Sequence, residues 1–182
     1  METIPDHHDA AALGPRHSSL GPLVLLLLML LLLAADQWTK HLARVHLQHE
    51  DARRFAGGTI TLLYAENSGA FLSLGAELPE LVRHFILDGI VGIGLAVAAW
   101  VLFTGRMNAR WDEVALAFII AGGIGNLIDR FRNHGRVTDF IYLAAGPLHT
   151  GVFNVADIAI TAGVVWLMLS WMFVKKPLIV DR

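Results

Sequence analysis

Residues 121–160 read AGGIGNLIDRFRNHGRVTDFIYLAAGPLHTGVFNVADIAI. This stretch leaves one apolar run, crosses a polar connection and enters a second apolar run. It carries three aspartates, Asp129, Asp139 and Asp157. Two Asn-x-x-Asp units bracket it, Asn126 to Asp129 and Asn154 to Asp157. On a helix, residues three apart share a face, so each unit aims an amide and a carboxyl the same way. Between them Gly135 offers a turn and Val137-Thr138-Asp139-Phe140 ends on an acid. Carboxyls beside hydrocarbon are costly and usually face a polar cavity or a working site.

The runs on either side are long enough to cross a bilayer. Residues 114–128 are uncharged, about 22 Å of helix at 1.5 Å per residue, so Asp129 falls at the membrane boundary. After Asp157 come 17 uncharged residues, which puts that acid at a similar boundary. Composition agrees. Of 182 residues, 55% are hydrophobic and 16% charged, against about 25% charged in soluble domains. The mean hydropathy is +0.55. A net charge of −2 with no basic block argues against nucleic-acid binding. With no cysteine, a thiol nucleophile, a disulfide framework and cysteine-based metal sites are excluded. The length suits one domain.

Residues 1–20 are polar with no apolar period and read as a flexible cytoplasmic tail, in which His7 and His8 are solvated rather than metal-bound. Residues 21–43 are a Leu-rich run. A cleaved leader ending near Ala34-Ala35 is one reading; a retained span continuing through Asp36, Gln37 and Lys40 is the other, favoured by the poor positive region before it. Residues 44–83 form the longest polar segment. Alternation over 59–75 with Asn67-Ser68-Gly69 as a turn signal predicts a small hairpin or curved sheet at the membrane surface. A short interfacial helix is expected over 77–83, with Pro79 in its first turn. A second span follows at 84–104, with Gly89, Gly92 and Gly94 for close helix approach and a local His84–Asp88 pair. The third and fourth spans cover about 112–130 and 155–174, so the spanning domain is 21–176 and residues 177–182 form a second cytoplasmic tail.

Four spans put both termini on one side and the polar segments 44–83 and 130–154 on the other. Lysine and arginine counts, six on the terminal side and eight opposite, do not orient the protein. The short basic segments near 105–112 and after 174 point weakly to a cytoplasmic position.

Two carboxyls a few ångströms apart share a proton, because both cannot ionise easily. Such a pair can activate water and protonate a leaving amine, which hydrolyses a peptide without metal or covalent intermediate. The asparagines can hold the carboxyl rotamers, and Arg130 can pair with Asp129 or hold an anionic or carbonyl oxygen. Any two of the three acids could meet. Simpler readings stand beside this one: an interfacial Asp129–Arg130 pair, a first-turn Asp157 on the helix dipole, and a boundary Asp36–Lys40 bridge at i, i+4. Residue pattern alone leaves hydrolysis and a small proton- or cation-coupled carrier equally open. Gly-x-Ser-x-Gly, His-Glu-x-x-His and Walker motifs are missing.

Five blocks together carry a resemblance. Asp36-Gln37-Trp38-Thr39-Lys40, Glu66-Asn67-Ser68-Gly69-Ala70-Phe71, Gly125-Asn126-Leu127-Ile128-Asp129-Arg130, Val137-Thr138-Asp139-Phe140 and Phe153-Asn154-Val155-Ala156-Asp157 occur in order across about 22–175. The set resembles bacterial lipoprotein signal peptidase (signal peptidase II), an aspartyl endopeptidase family. The resemblance implies an all-α membrane protein with four transmembrane helices, a small periplasmic β-cradle and a short interfacial helix. It implies removal of signal peptides from diacylglyceryl-modified prolipoproteins, cut just before the lipidated cysteine. Carried over by motif, Asp139 and Asp157 are the catalytic pair, and Asp129 is structural, tied to Arg130. Asp36, Lys40, Asn67, Gly69, Asn126, Arg130, Asn154 and Ala156 match positions that bind substrate or support the site. Also implied are a monomer in the bacterial inner membrane with both termini cytoplasmic, membrane lipid and globomycin-type inhibitors as partners, no nucleic acid, and neither metal nor organic cofactor. The long N-terminal tail and the connection 141–152 depart from the pattern.

Overall fold

The computed structural model describes residues 20–68, 79–104, 107 and 109–173, and omits the side chains of 80, 81, 83, 84 and 87. The tail readings for 1–19 and 177–182, the pair His7-His8, Gly69, the second half of the 59–75 segment and the His84 side chain therefore lie outside the described residues.

Four helices, α1 (Pro22–Leu47), α2 (Glu80–Phe103), α3 (Arg110–Arg132) and α4 (Val155–Phe173), carry a four-stranded antiparallel sheet at one end. Its strands are β1 (Arg53–Phe55), β2 (Ile60–Asn67), β3 (Val137–Ala145) and β4 (Leu148–His149), in that spatial order. Apolar residues cover the outsides of the helices: Leu31, Ile93 and Trp171 are among the large side chains left exposed. A surface of that kind needs hydrocarbon as its solvent. By length and apolarity α1, α3 and α4 are each sufficient to cross a membrane. Among the described residues α2 carries a shorter apolar run, Asp88–Phe103.

Helix α3 is central. Half of its apolar window is buried, against 17% for α1 and α4. Its small residues allow this. A Cβ on Gly122 would sit 2.5 Å from the Ala156 carbonyl oxygen, and one on Gly125 would sit 2.5 Å from Asp36 Oδ2. The close approach expected at Gly89, Gly92 and Gly94 is not found among the described residues, where a Cβ at any of them would meet nothing within 4 Å. Small residues draw helices together only on the face turned to a neighbour, and in α2 these three lie off that face.

Other expectations also change. The short helix placed at 77–83 is not separate: from Glu80 the chain runs without a break to Phe103, because Pro79 starts a helix that nothing downstream stops. Strand β2 pairs with β1 and, across a long sequence gap, with β3. The connection 141–152 thus contains the rest of β3 and the β4 hairpin.

Candidate active site

The site is built where the sheet meets the ends of α1, α3 and α4. Helix α3 stops at Asn133, and Gly135, at φ +84°, turns the chain back. Glycine takes that left-handed conformation without Cβ strain. The turn is pinned when Thr138 N donates to Asp129 Oδ2 at 2.9 Å, which fixes the first residues of β3 against α3. Asp139 follows and is 2% exposed. Farther on, Phe153 pairs with Ile141 through hydrogen bonds in both directions and brings Asn154 alongside β3.

Asn154 is the residue on which the acids converge. It caps α4: its Oδ1 accepts from Asp157 N at 3.0 Å, and its own N donates to Asp157 Oδ2 at 3.2 Å. That reciprocal pattern is a capping box made with an aspartate. Its remaining amide, Nδ2, donates to Asp139 Oδ1 at 2.6 Å. One asparagine therefore holds both Asp139 and Asp157. Serine or aspartate would cap as well but has no amide to spare for Asp139. The Asn154–Asp157 unit works as a cap across a helix end, whereas Asn126 and Asp129 do share a helical face.

The remaining oxygens are also partnered. Asn67 Nδ2 donates to Asp139 Oδ2 at 3.1 Å, a diagonal contact across β2 and β3. Asn126 Nδ2 donates to Asp157 Oδ1 at 2.9 Å. Beneath lies Lys40, 2% exposed, whose ammonium meets Asp36 Oδ2 at 2.9 Å, Asn126 Oδ1 at 2.9 Å and Asp129 Oδ2 at 3.3 Å. Three acceptors match its three protons. Asp36 Oδ1 in turn accepts from Ala156 N at 2.9 Å, satisfying another amide of the first turn of α4.

Burial is the largest reason why the Asp139 pKa is pushed up to about 6, with the nearby Asp157 charge acting the same way. Hydrogen bonds from Asn154 and Asn67, and the Lys40 charge, pull it back.

Of the residues expected from sequence, Asp36, Lys40, Asn67, Asn126, Asp129, Asn154 and Ala156 join Asp139 and Asp157 in one network. Arg130 does not tie to Asp129. Neighbouring helical residues point about 100° apart, so Asp129 turns inward to Lys40 while Arg130 reaches Asp88 of α2, with Nε 3.5 Å from Oδ1. Asp88 is thereby joined to α3. The Asp36–Lys40 bridge is no boundary contact but a buried one. Gln37 and Arg44 were missed. Gln37 Nε2 lies 3.2 Å from both Asp36 Oδ2 and the Gly125 carbonyl, and Arg44 Nη2 donates to Thr138 Oγ1 at 3.0 Å. The i, i+4 spacing of Lys40 and Arg44 on α1 was the available signal.

A small set of helices around buried, partnered carboxyls defines a membrane enzyme fold. The arrangement superposes on two solved structures described as a bacterial membrane enzyme, one at TM-score 0.74 and 23% identity over 87% of this chain and 99% of that one, the other at TM-score 0.73. Residues 28–173 match the family model for signal peptidase (SPase) II. Lipoprotein signal peptidase of Syntrophus aciditrophicus is 31% identical over 85% of this chain and 96% of its own length. That of Desulforapulum autotrophicum is 36% identical over 84% and 94%, and that of Acinetobacter baylyi 34% over 78% and 77%. The chain belongs to the signal peptidase II family, and it is a multi-pass bacterial membrane peptidase.

Proposed function

We propose that the protein is an aspartyl endopeptidase that removes signal peptides from prolipoproteins, cutting before the diacylglyceryl cysteine. The observation that carries this reading is Asn154 bonded to both Asp139 and Asp157, which holds the two carboxyls on one shared side chain. Asp139, whose carboxyl is shifted toward its neutral form mainly by burial, donates its proton to the scissile carbonyl oxygen. Asp157 takes a proton from water, and the hydroxide oxygen bonds to the carbonyl carbon to give a diol. The proton held by Asp157 then moves to the amide nitrogen and the C–N bond breaks. Asp139 recovers its proton as the diol becomes a carboxylic acid. Asn67, Asn126 and Asn154 hold the rotamers on which this depends, and Asp36, Lys40 and Asp129 support them from below.

In this reading α2 completes four spans, and the domain 21–176 lies in the inner membrane as a monomer. Both termini are cytoplasmic and the sheet faces the periplasm. Globomycin-type inhibitors would bind at the same pair of carboxyls. Family membership leaves the carrier reading without support.

Cleavage of a diacylglyceryl prolipoprotein by the full chain in lipid, with products read by mass, tests the proposal. Asp139→Asn and Asp157→Asn should each lower kcat by roughly 10²–10⁴-fold or more with melting retained, the usual worth of a general acid or base. Wild-type turnover in a folded Asp139→Asn variant would overturn the pair.

A further inference from the structure

Behind Thr138 and Asn67, on the far side from the paired aspartates, the ends of α1 and α3 and the strand β2 enclose a recess of about 410 Å³. That is within the roughly 300–1,000 Å³ of small-ligand sites. Its lining includes Arg44, Arg132, Arg136, His134, Tyr64 and Glu66. Three guanidinium groups therefore face one carboxylate. Arg136 pairs with Glu66 at 3.0 Å, and this pairing is the main reason the Glu66 pKa is lowered. Arg44 and Arg132 form no ion pair among the described residues; Arg44 bonds neutral oxygens of Asn133 and Thr138 and lies close enough to Tyr64 and Glu66 for its charge to act on both, and Arg132 bonds Gln37. The dipoles of α1 and α3 favour cations at their last turns, which accounts for where Arg44 and Arg132 sit. They do not account for Arg136, which enters from the turn before β3.

Depth identifies the ligand. Helix α1 is 26 residues long, about 39 Å, so its last turns emerge from a hydrocarbon core of roughly 30 Å. Val45 beside Arg44 and Phe131 beside Arg132 are 60% and 73% exposed, as lipid-facing side chains at the core edge would be. We infer that this recess binds the phosphate of an anionic phospholipid headgroup, with Arg44, Arg132 and Arg136 donating to its oxygens and the acyl chains running down past Val45 and Phe131. Guanidinium forks match phosphate oxygens, and basic groups at this depth attract anionic lipid. Such a lipid would moor the β2–β3 region, and with it Asn67 and Asp139, to the membrane surface.

The test uses the full chain in bilayer discs of phosphatidylcholine alone, or of phosphatidylcholine and phosphatidylglycerol in equal parts. Lipid retained after detergent extraction is counted by mass, and melting is followed in parallel. Wild type should retain phosphatidylglycerol in preference and melt higher in the mixed discs. Arg132→Gln with Arg136→Gln should weaken that preference roughly tenfold or more, the equivalent of at least one charge-assisted hydrogen bond. Arg110→Gln, the same charge change at the other end of α3, should leave it intact. Should the double variant melt too low, the single Arg132→Gln carries the comparison. Equal retention of both lipids by wild type, or equal loss in Arg110→Gln, overturns the site. A matching melting shift from inorganic phosphate in phosphatidylcholine alone overturns the lipid assignment. Both readouts are blind to cleavage, so failure here leaves the peptidase reading standing.

Discussion

Asp139 sits where opposing influences on one proton are balanced. Its carboxyl loses water on burial, which favours the neutral form, while Asn67 and Asn154 donate to it and favour the charged one. A step that needs the proton on Asp139 loses rate as pH rises through about 6. In Asn67→Ala one donor to the carboxylate is gone, so the pKa rises and the alkaline limb of kcat/KM moves to higher pH. A limb that stays put or moves down would remove Asn67 from the tuning of Asp139. Stability follows the same proton. Because the folded-state pKa lies above the ordinary value of 3.8, the folded chain holds this proton more tightly than the unfolded one. That contribution is present below about 4 and is lost as pH rises through about 6. Asp139→Asn cannot titrate there, so its melting temperature should fall less than that of wild type between pH 4 and pH 7.

At the scale of one element, the start of α4 joins fold and chemistry in the same side chain. Asn154 caps the helix through Oδ1 and holds Asp139 through Nδ2, and substitutions can separate the two roles. Asn154→Ser keeps a cap oxygen for Asp157 N, so melting should stay close to wild type while turnover drops. Asn154→Ala loses both, adding a stability cost of about 1 kcal/mol, up to roughly 2. Equal melting of the two variants, read in the same detergent, would show that the cap carries no weight. Much of α4 was legible in advance, because its apolar run after Asp157 could only be a spanning helix. The Asn-x-x-Asp spacing was visible too, yet it read as a shared helical face, since spacing does not reveal which residue is the last one outside the helix. Strand β3 was hidden for a different reason. Its partner β2 lies more than 60 residues earlier, and non-local pairing leaves no periodic mark on a segment such as 141–152.

Across the whole molecule, the three long apolar helices could be read because bilayer thickness imposes a length on apolar runs, and the members of the buried polar network because they fall in the motifs that carry the family resemblance. The wiring between helices could not. Arg130 looked bound to its neighbour Asp129, and only the packing of α2 against α3 offered it Asp88 instead. Lys40 is the sharper case, since an i, i+4 bridge to Asp36 reads as a surface contact worth little. In the folded chain it is a buried cation on α1 that meets Asp36 of the same helix and Asp129 and Asn126 of α3, and Asp36 links on to the start of α4 through Ala156 N. Such a group need not add net stability, but removing it strands two buried carboxylates. Lys40→Met, of similar length and apolar, should therefore cost about 3–5 kcal/mol in unfolding, measured in mixed detergent. Salt should change that cost little, because a buried pair is poorly screened. The exposed Arg136–Glu66 pair is the internal control: breaking it with Glu66→Gln should cost about 1 kcal/mol or less, and less still in high salt. If Lys40→Met unfolds as easily as Glu66→Gln, then α1 is held to α3 and α4 by apolar packing alone, and the aspartate pair owes its position to Asn126 and Asn154 rather than to the charge beneath them.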